Sequence, residues 1–276
     1  MSSRWLITGS SRGLGRALSE AVLQAGHRLV ATARDPAQLA DLARRHGDAV
    51  RLVALDVTDP QAAQRAVDAA IEAFGGLDVL VNNAGQGDVD SVEDTSLEDF
   101  RRQIDTNLFG TIIMSKAVIP LMRRQGSGHI LQLSSVGGRL GAPGRAAYSA
   151  AKWGVEGFSE SLALEMALVG VHVTIIEPGG FRTDFAGAST TLREGRAEYD
   201  AVVGATARRQ RDYSGQQPGD PARAAQVIVR IAAMDEPPLR IALGSDAVKL
   251  IEAIDARRLE ELRRWRELSA STDFPA

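Results

Sequence analysis

The sequence contains no cysteine, which excludes disulfides, thiolate metal sites and thiol redox chemistry. Histidine is scarce too: His27, His46, His129 and His172 are scattered with no acid partner at ligand spacing, so no metal site is expected. No apolar run approaches the roughly 7–15 residues of a signal-peptide core or the roughly 20 of a membrane span. The expected compartment is the cytosol. Neither sign of charge dominates: the net charge is −3 with acids and bases intermixed, so nothing points to nucleic acid. The short runs Arg44-Arg45, Arg208-Arg209 and Arg263-Arg264 are read as solvated faces. A Gly-x-Ser-x-Gly nucleophile elbow is also missing, because Gly9-Ser10-Ser11-Arg12-Gly13 has the wrong spacing for a serine hydrolase. Of the carboxylates that suggest acid/base work, Glu165 and Glu177, the first falls in a helical surface pattern.

What is present is an alternation. Short apolar runs at Trp5–Thr8, Leu29–Ala33, Leu52–Leu55, Val79–Val81, Ile130–Leu133 and Val171–Ile176 are strand-length. Their hydrophobicity is continuous, the pattern of strands covered on both faces. Between them lie Ala/Leu-rich segments of helical length, among them 13–26, 36–46, 60–74, 97–125 and 148–169. This predicts an α/β fold: a doubly wound parallel sheet in a single Rossmann-like domain spanning residues 1–276. Asp35-Pro36, Asp59-Pro60 and Asp220-Pro221 read as helix caps followed by proline in the first turn, and Gly26, Gly47 and Gly170 fall where helices should stop. No internal repeat is visible. From Asp184 to Asp220 the periodicity is lost, so about 184–220 is expected to form a lid over a site.

Thr8-Gly9-Ser10-Ser11-Arg12-Gly13-Leu14-Gly15 joins the first strand to the first helix. A glycine-rich turn here lets backbone N–H groups approach a pyrophosphate at a helix N-terminus. The second strand ends Ala33-Arg34-Asp35-Pro36. On one reading Asp35 caps the helix, and Arg34 with Arg12 clamps a 2′-phosphate, which selects NADP(H). On the other, Asp35 accepts from the ribose and Arg34 faces solvent.

Tyr148 and Lys152 are four apart in a helical segment and share one face. A cation near a phenol favours phenolate and tunes it for proton transfer. Upstream, Ser135 follows the fifth strand, where a hydroxyl is placed to bond a substrate oxygen as charge develops on it.

Taken together, Thr8–Gly15, Asp56-Val57, Asn82-Asn83-Ala84-Gly85, Asn107, Ser135, Tyr148 with Lys152, and Pro178-Gly179 followed by Thr183 resemble the short-chain dehydrogenase/reductase family over nearly the whole chain. The resemblance, closest to the steroid-dehydrogenase-like branch, implies that Tyr148 donates the proton in reduction and takes it in oxidation. Lys152 would bind the nicotinamide ribose, Ser135 would hold the substrate oxygen, and Asn107 would support a water-linked relay through Lys152. It further implies that Gly9, Ser11, Arg12, Gly13, Leu14 and Gly15 cradle the cofactor, that Asp56 and Val57 contact adenine, and that Asn83, Ala84 and Gly85 line the groove. Pro178, Gly179 and Thr183 would meet the nicotinamide end, with hydride moving on its B face. Asn107 has a second reading as a backbone-bonding residue, and Thr183 as a helix cap.

The expected activity is therefore hydride transfer between NADP(H) and a carbonyl/alcohol pair, in a homodimer or homotetramer joined through helices 97–125 and 148–169. Reduction of an imine or enone is the nearest enzymatic variant, and a non-catalytic NADP-binding regulator on the same scaffold is the alternative outside catalysis. Gly137, Gly138, Leu140, Pro143, Phe181, Phe185 and Tyr199 suggest an apolar substrate pocket, while Arg139, Arg145 and Arg182 leave room for an acidic substrate. Leu259, Leu262, Trp265 and Leu268 recur at threes, the mark of a packing stripe that meets the substrate rim or another subunit.

Overall fold

Successive residues of a strand point to opposite faces, so a short run that is apolar throughout needs cover on both sides. The computed structural model, which describes residues 2–186 and 190–274, provides it. Its strands are β1 (Arg4–Ile7), β2 (Arg28–Ala33), β3 (Val50–Ala54), β4 (Val79–Asn82), β5 (Gly128–Leu133), β6 (Val171–Pro178) and β7 (Arg240–Leu243). They form one parallel sheet in the order β3-β2-β1-β4-β5-β6-β7. The main helices are α1 (Gly13–Gln24), α2 (Ala40–His46), α3 (Pro60–Phe74), α4 (Leu97–Ile104), α5 (Gly110–Gln125), α6 (Ala146–Ala167), α7 (Ala205–Tyr213), α8 (Pro221–Ala232), α9 (Ser245–Arg264) and α10 (Arg266–Ala270).

Within β1, Trp5 and Ile7 join a cluster with Leu18 and Val22 of α1 and Ile228 and Ile231 of α8. Leu6, between them, joins the opposite cluster with Ala63 and Val67 of α3 and Met114 and Val118 of α5. Each such fully buried side chain contributes about 1.5–3 kcal/mol. The two clusters sandwich the sheet, so the fold is a doubly wound α/β domain. The chain reverses its winding direction at β1 and β4, and a crevice opens beyond the carboxyl ends of those strands.

The three Asp-Pro devices act as expected. The carboxylates of Asp35, Asp59 and Asp220 accept from the backbone N–H of Ala37, Gln61 and Ala222 at 3.0, 2.8 and 2.8 Å. Four features depart from the sequence reading. The seventh strand, β7, was not expected. The segment 97–125 is helical throughout, as expected, but a π-helical turn over Asp105–Phe109 separates α4 from α5 within it. Part of the aperiodic stretch 184–220 is α7, held by Arg208 to Glu194 and Asp200, both at 2.7 Å, and by Arg211 to Glu194 at 3.0 Å. Residues 187–189 of that stretch lie outside the described residues. Finally, Leu259, Leu262, Trp265 and Leu268 on α9 and α10 are exposed rather than packed within the chain.

Candidate active site

The turn after β1 is built around one hydroxyl. Thr8 Oγ1 accepts from the backbone N–H of Asn83 and of Ala84, each at 2.9 Å, and so joins the ends of β1 and β4. The Asn83 side chain returns the connection, donating to the carbonyls of Thr8 at 2.9 Å and Gly9 at 3.1 Å. Gly9 has φ +69°, a left-handed backbone that other residues adopt only under strain. Gly15 is needed for space: a Cβ there would lie 2.3 Å from Asn83 Nδ2 and from the Gly9 carbonyl oxygen. Ser11, Arg12, Gly13 and Leu14 line the resulting cradle at the N-terminus of α1.

Across the crevice, Ser135 follows β5 and its Oγ accepts from Gly137 N–H at 3.0 Å. The phenol of Tyr148, near the start of α6, stands beside it. Burial pushes the phenol above its usual 10, while the nearby Ser135 hydroxyl and the charge of Arg145 pull it down. Lys152 lies one turn along the same helix, its Nζ 5.9 Å from the Tyr148 ring centroid and donating to the Leu133 carbonyl at 2.6 Å. Burial lowers its amine to about 8, against the opposing pull of Glu156. The pair therefore converges, but the cation acting on the phenol here is Arg145. Lys152 is turned toward the end of β5.

Glu156, a further turn on, was not singled out in the sequence. It is buried, its carboxyl pushed up by burial, and it pairs with Arg240 at 3.0 Å. Its neighbour Glu177 is equally buried and pairs with Arg139 at 3.0 Å, so it braces the end of β6. The sequence carries no local signal for either partnership, which spans distant strands.

The remaining expected positions divide by what they do. Asp35 is consumed as a cap, as one of its two readings held, and Arg34 is exposed beside Asp56, whose carboxyl its charge helps to lower. The larger cause at Asp56 is a pair of bonds from Thr58, from its hydroxyl at 2.7 Å and its N–H at 2.9 Å. Val57, Gly85, Pro178 and Gly179 line the crevice with them. Gly180 N–H and the space beside Gly179 are occupied by the Asp246 carboxylate. Thr183 lines the crevice and accepts from Phe185 N–H at 3.4 Å. Asn107 is fully buried in the π-helical turn, where it clasps the backbone of Gln86 through both amide atoms, at 2.9 and 2.7 Å. Its backbone-bonding reading is the one seen. Asn107 and Gly15 support the crevice without lining it.

Comparison with known proteins agrees with this arrangement. Residues 4–193 match the family described as short chain dehydrogenase. The chain belongs to the short-chain dehydrogenase/reductase family. It is 46% identical over 277 residues to "Oxidoreductase BOA17" of Botryotinia fuckeliana (strain B05.10), covering 99% of this chain and all of that one. A short-chain dehydrogenase from Streptomyces avermitilis superposes with a TM-score of 0.91 at 38% identity, covering 99% of this chain and 100% of that one. A short-chain dehydrogenase/reductase from Burkholderia phymatum in complex with NAD gives a TM-score of 0.80 at 25% identity, covering 100% and 98%. The alcohol dehydrogenase of the archaeon Thermococcus sibiricus complexed with 5-hydroxy-NADP gives 0.72 at 25%, covering 88% and 96%.

In this short-chain dehydrogenase/reductase the crevice has a volume of about 1790 Å³. That exceeds the roughly 300–1,000 Å³ of a single small-ligand pocket, as a site for two ligands requires. Leu140, Phe181 and Phe185 line it as expected, but Gly138, Pro143 and Tyr199 do not. Tyr199 instead donates to Glu93 at 2.6 Å on the outside of the lid segment. Thr206, Arg209 and Tyr213 of α7 and Leu250 of α9 complete the wall. Arg209 therefore borders the cleft, whereas Arg208 is held by acids on the surface.

Proposed function

We propose that this short-chain dehydrogenase/reductase moves a hydride between NADP(H) and a carbonyl/secondary alcohol pair, with Tyr148 as the group that gives and takes the proton. The reading rests on one observation: a buried phenol, beside Ser135 and flanked by Lys152 and Arg145, shares a single crevice with the Gly9–Gly15 cradle. The close turn that Gly15 permits against Asn83 and Gly9, and the N–H groups at the start of α1, fit a dinucleotide pyrophosphate. Asp56 and Val57 would border the adenine, Asn83, Ala84 and Gly85 the middle of the dinucleotide, and Pro178, Gly179 and Thr183 the nicotinamide end. When bound, the nicotinamide supplies or accepts the hydride.

The chain's own residues do the rest. Ser135 orients the substrate oxygen, and Tyr148 passes its phenolic proton to that oxygen as negative charge grows there. In oxidation the phenolate draws the proton back. Arg145 keeps the phenol's surroundings cationic, Lys152 would bind the nicotinamide ribose, and Asn107 fixes the Gln86 backbone that borders the cleft. The segment 184–220 serves as lid, its α7 wall facing the substrate end. Exposed Leu97, Phe109, Leu164 and Leu168 on and between α4, α5 and α6 support assembly as a homodimer or homotetramer. The test is NADPH consumption with a panel of ketones and aldehydes; absence of turnover across the panel, with NADPH bound, defeats the reading.

Preference for the phosphorylated cofactor is assigned to Arg12 and Arg34, both exposed at the adenosine end, where Asp35 spends one carboxylate oxygen on its helix cap. Arg34→Asp replaces an attractive charge with a repulsive one. The ratio of kcat/KM for NADPH over NADH is expected to fall about 10–100-fold. A ratio that does not move would remove Arg34 from the account.

A further inference from the structure

Three arginines near the crevice were open to an acidic substrate, and their partners separate them. Arg139 pairs with Glu177 at 3.0 Å and Asp255 at 2.7 Å, and Arg182 donates to the Gln217 carbonyl at 2.7 Å. Both are committed to holding the fold. Arg145 makes no ion pair and no side-chain hydrogen bond among the described residues, yet it lines the crevice and burial disfavours its charge. The nearest acid to influence it is Asp88. That carboxylate is already used: one oxygen accepts from Thr191 N–H at 2.9 Å and the other from Arg102 at 3.1 Å.

A half-buried guanidinium that lines a crevice with no hydrogen-bond partner among the described residues leaves its N–H fork open to a ligand. The location says which ligand. Arg145 Cζ lies 5.8 Å from the Tyr148 ring centroid, and Phe185 faces the same ring at 5.9 Å. Gly87 keeps this corner open: a Cβ there would sit 3.0 Å from the Tyr148 ring, 3.2 Å from Arg145 Nη1 and 3.2 Å from Phe185. The guanidinium therefore borders the position where the substrate carbonyl meets the phenol. It lies at the opposite end from Arg12 and Arg34.

We propose that Arg145 is a substrate-anion subsite: it binds a carboxylate a few bonds from the reacting carbon, so the substrate is a short oxo acid or the corresponding hydroxy acid. The inference rests on the reductase reading above and narrows its substrate. In the reductive direction the carbonyl carbon gains the hydride, the C=O π pair takes the Tyr148 proton, and the carboxylate passes through unchanged. The products are the hydroxy acid and oxidised nicotinamide. A planar guanidinium matches a carboxylate through two parallel N–H bonds, while Leu140 and Phe185 accept the hydrocarbon remainder.

The test compares 2-oxopentanoate and 4-oxopentanoate with their methyl esters, which keep the shape and lose the charge. In the wild type the acid is the better substrate by kcat/KM, and Arg145→Met lowers the acid-to-ester ratio about 10–100-fold; Arg145→Lys recovers part of it. An unchanged ratio, with equal losses on acid and ester and a displaced pH profile, would mean that Arg145 acts only through Tyr148, and overturns the subsite. Calorimetric titration of each oxo acid into the enzyme–NADP⁺ complex supplies a second readout that needs no turnover. Binding of at least one acid that Arg145→Met weakens by a similar factor supports the subsite even where chemistry fails, which isolates a failure of the reductase reading. Turnover of esters in preference to acids leaves the reductase standing and overturns the subsite. Neither binding nor turnover of any acid overturns it as well.

Discussion

Tyr148→Phe is expected to lower kcat for carbonyl reduction about 10²–10⁴-fold, the range over which a positioned general acid acts. The ring is held independently of its hydroxyl. A Cβ on Gly137 would fall 2.9 Å from one edge and a Cβ on Gly87 3.0 Å from the other, so the ring fills a fitted slot that phenylalanine fills too. Loss of the hydroxyl leaves that packing in place. A midpoint of denaturation close to wild type with a collapsed kcat is the result that assigns the proton to Tyr148. A variant that keeps most of its rate would move that role elsewhere.

The phenol's environment also sets the pH response. Burial pushes it above 10, so at neutral pH it carries the proton that reduction consumes. Reduction should hold steady through neutral pH and decline as pH rises toward the phenol's ionisation. Oxidation, which needs phenolate, should rise over the same interval. Rate profiles in the two directions with opposite slopes check this sign, and both should flatten in Tyr148→Phe.

The second large effect is expected at the opposite end of the crevice. In Gly15→Ala the new methyl meets a backbone oxygen, that of Gly9, at 2.3 Å, and the Asn83 amide at the same distance. Asn83 cannot swing aside without dropping its bonds to the Thr8 and Gly9 carbonyls. The turn must open. Overpacking of this kind costs about 1–3 kcal/mol, and a widened cradle no longer presents its N–H groups together. NADPH affinity is expected to weaken at least about tenfold, with a lowered urea midpoint. Fluorescence titration and chemical denaturation measure the two. If both stay at wild-type values, the cradle is not where the dinucleotide is held.

Six of the seven strands were legible because each is a short, mainly apolar run without strict alternation, as burial on both faces of a central parallel strand demands. The seventh, β7, is four residues on the sheet's edge, begins at Arg240 after Pro237-Pro238, and is only part-covered, so its sequence lacks the pressure that marked the others. The π turn inside the helical segment 97–125 was invisible for another reason. Its cause is Asn107 gripping Gln86, a contact twenty-one residues apart that no helical periodicity encodes. Likewise Arg208-Arg209 read as a solvated pair, which suits Arg208, but the phase of α7 turns Arg209 to the cleft. The motif residues Ser135, Tyr148 and Lys152 were legible from type and spacing together. Arg145 was visible only as one of three equivalent candidates, because its distinction is the partners it lacks.

Thr8 sits where the two halves of the cofactor groove meet, and its single oxygen ties both turns to one another. On the proposed cofactor reading, the separation between the phosphate cradle and the nicotinamide end would thus be a property of the sheet, set before any ligand arrives. Substrate preference is then free to drift through α7, Arg145 and the lid, because altering those walls leaves the ruler between the two ends untouched.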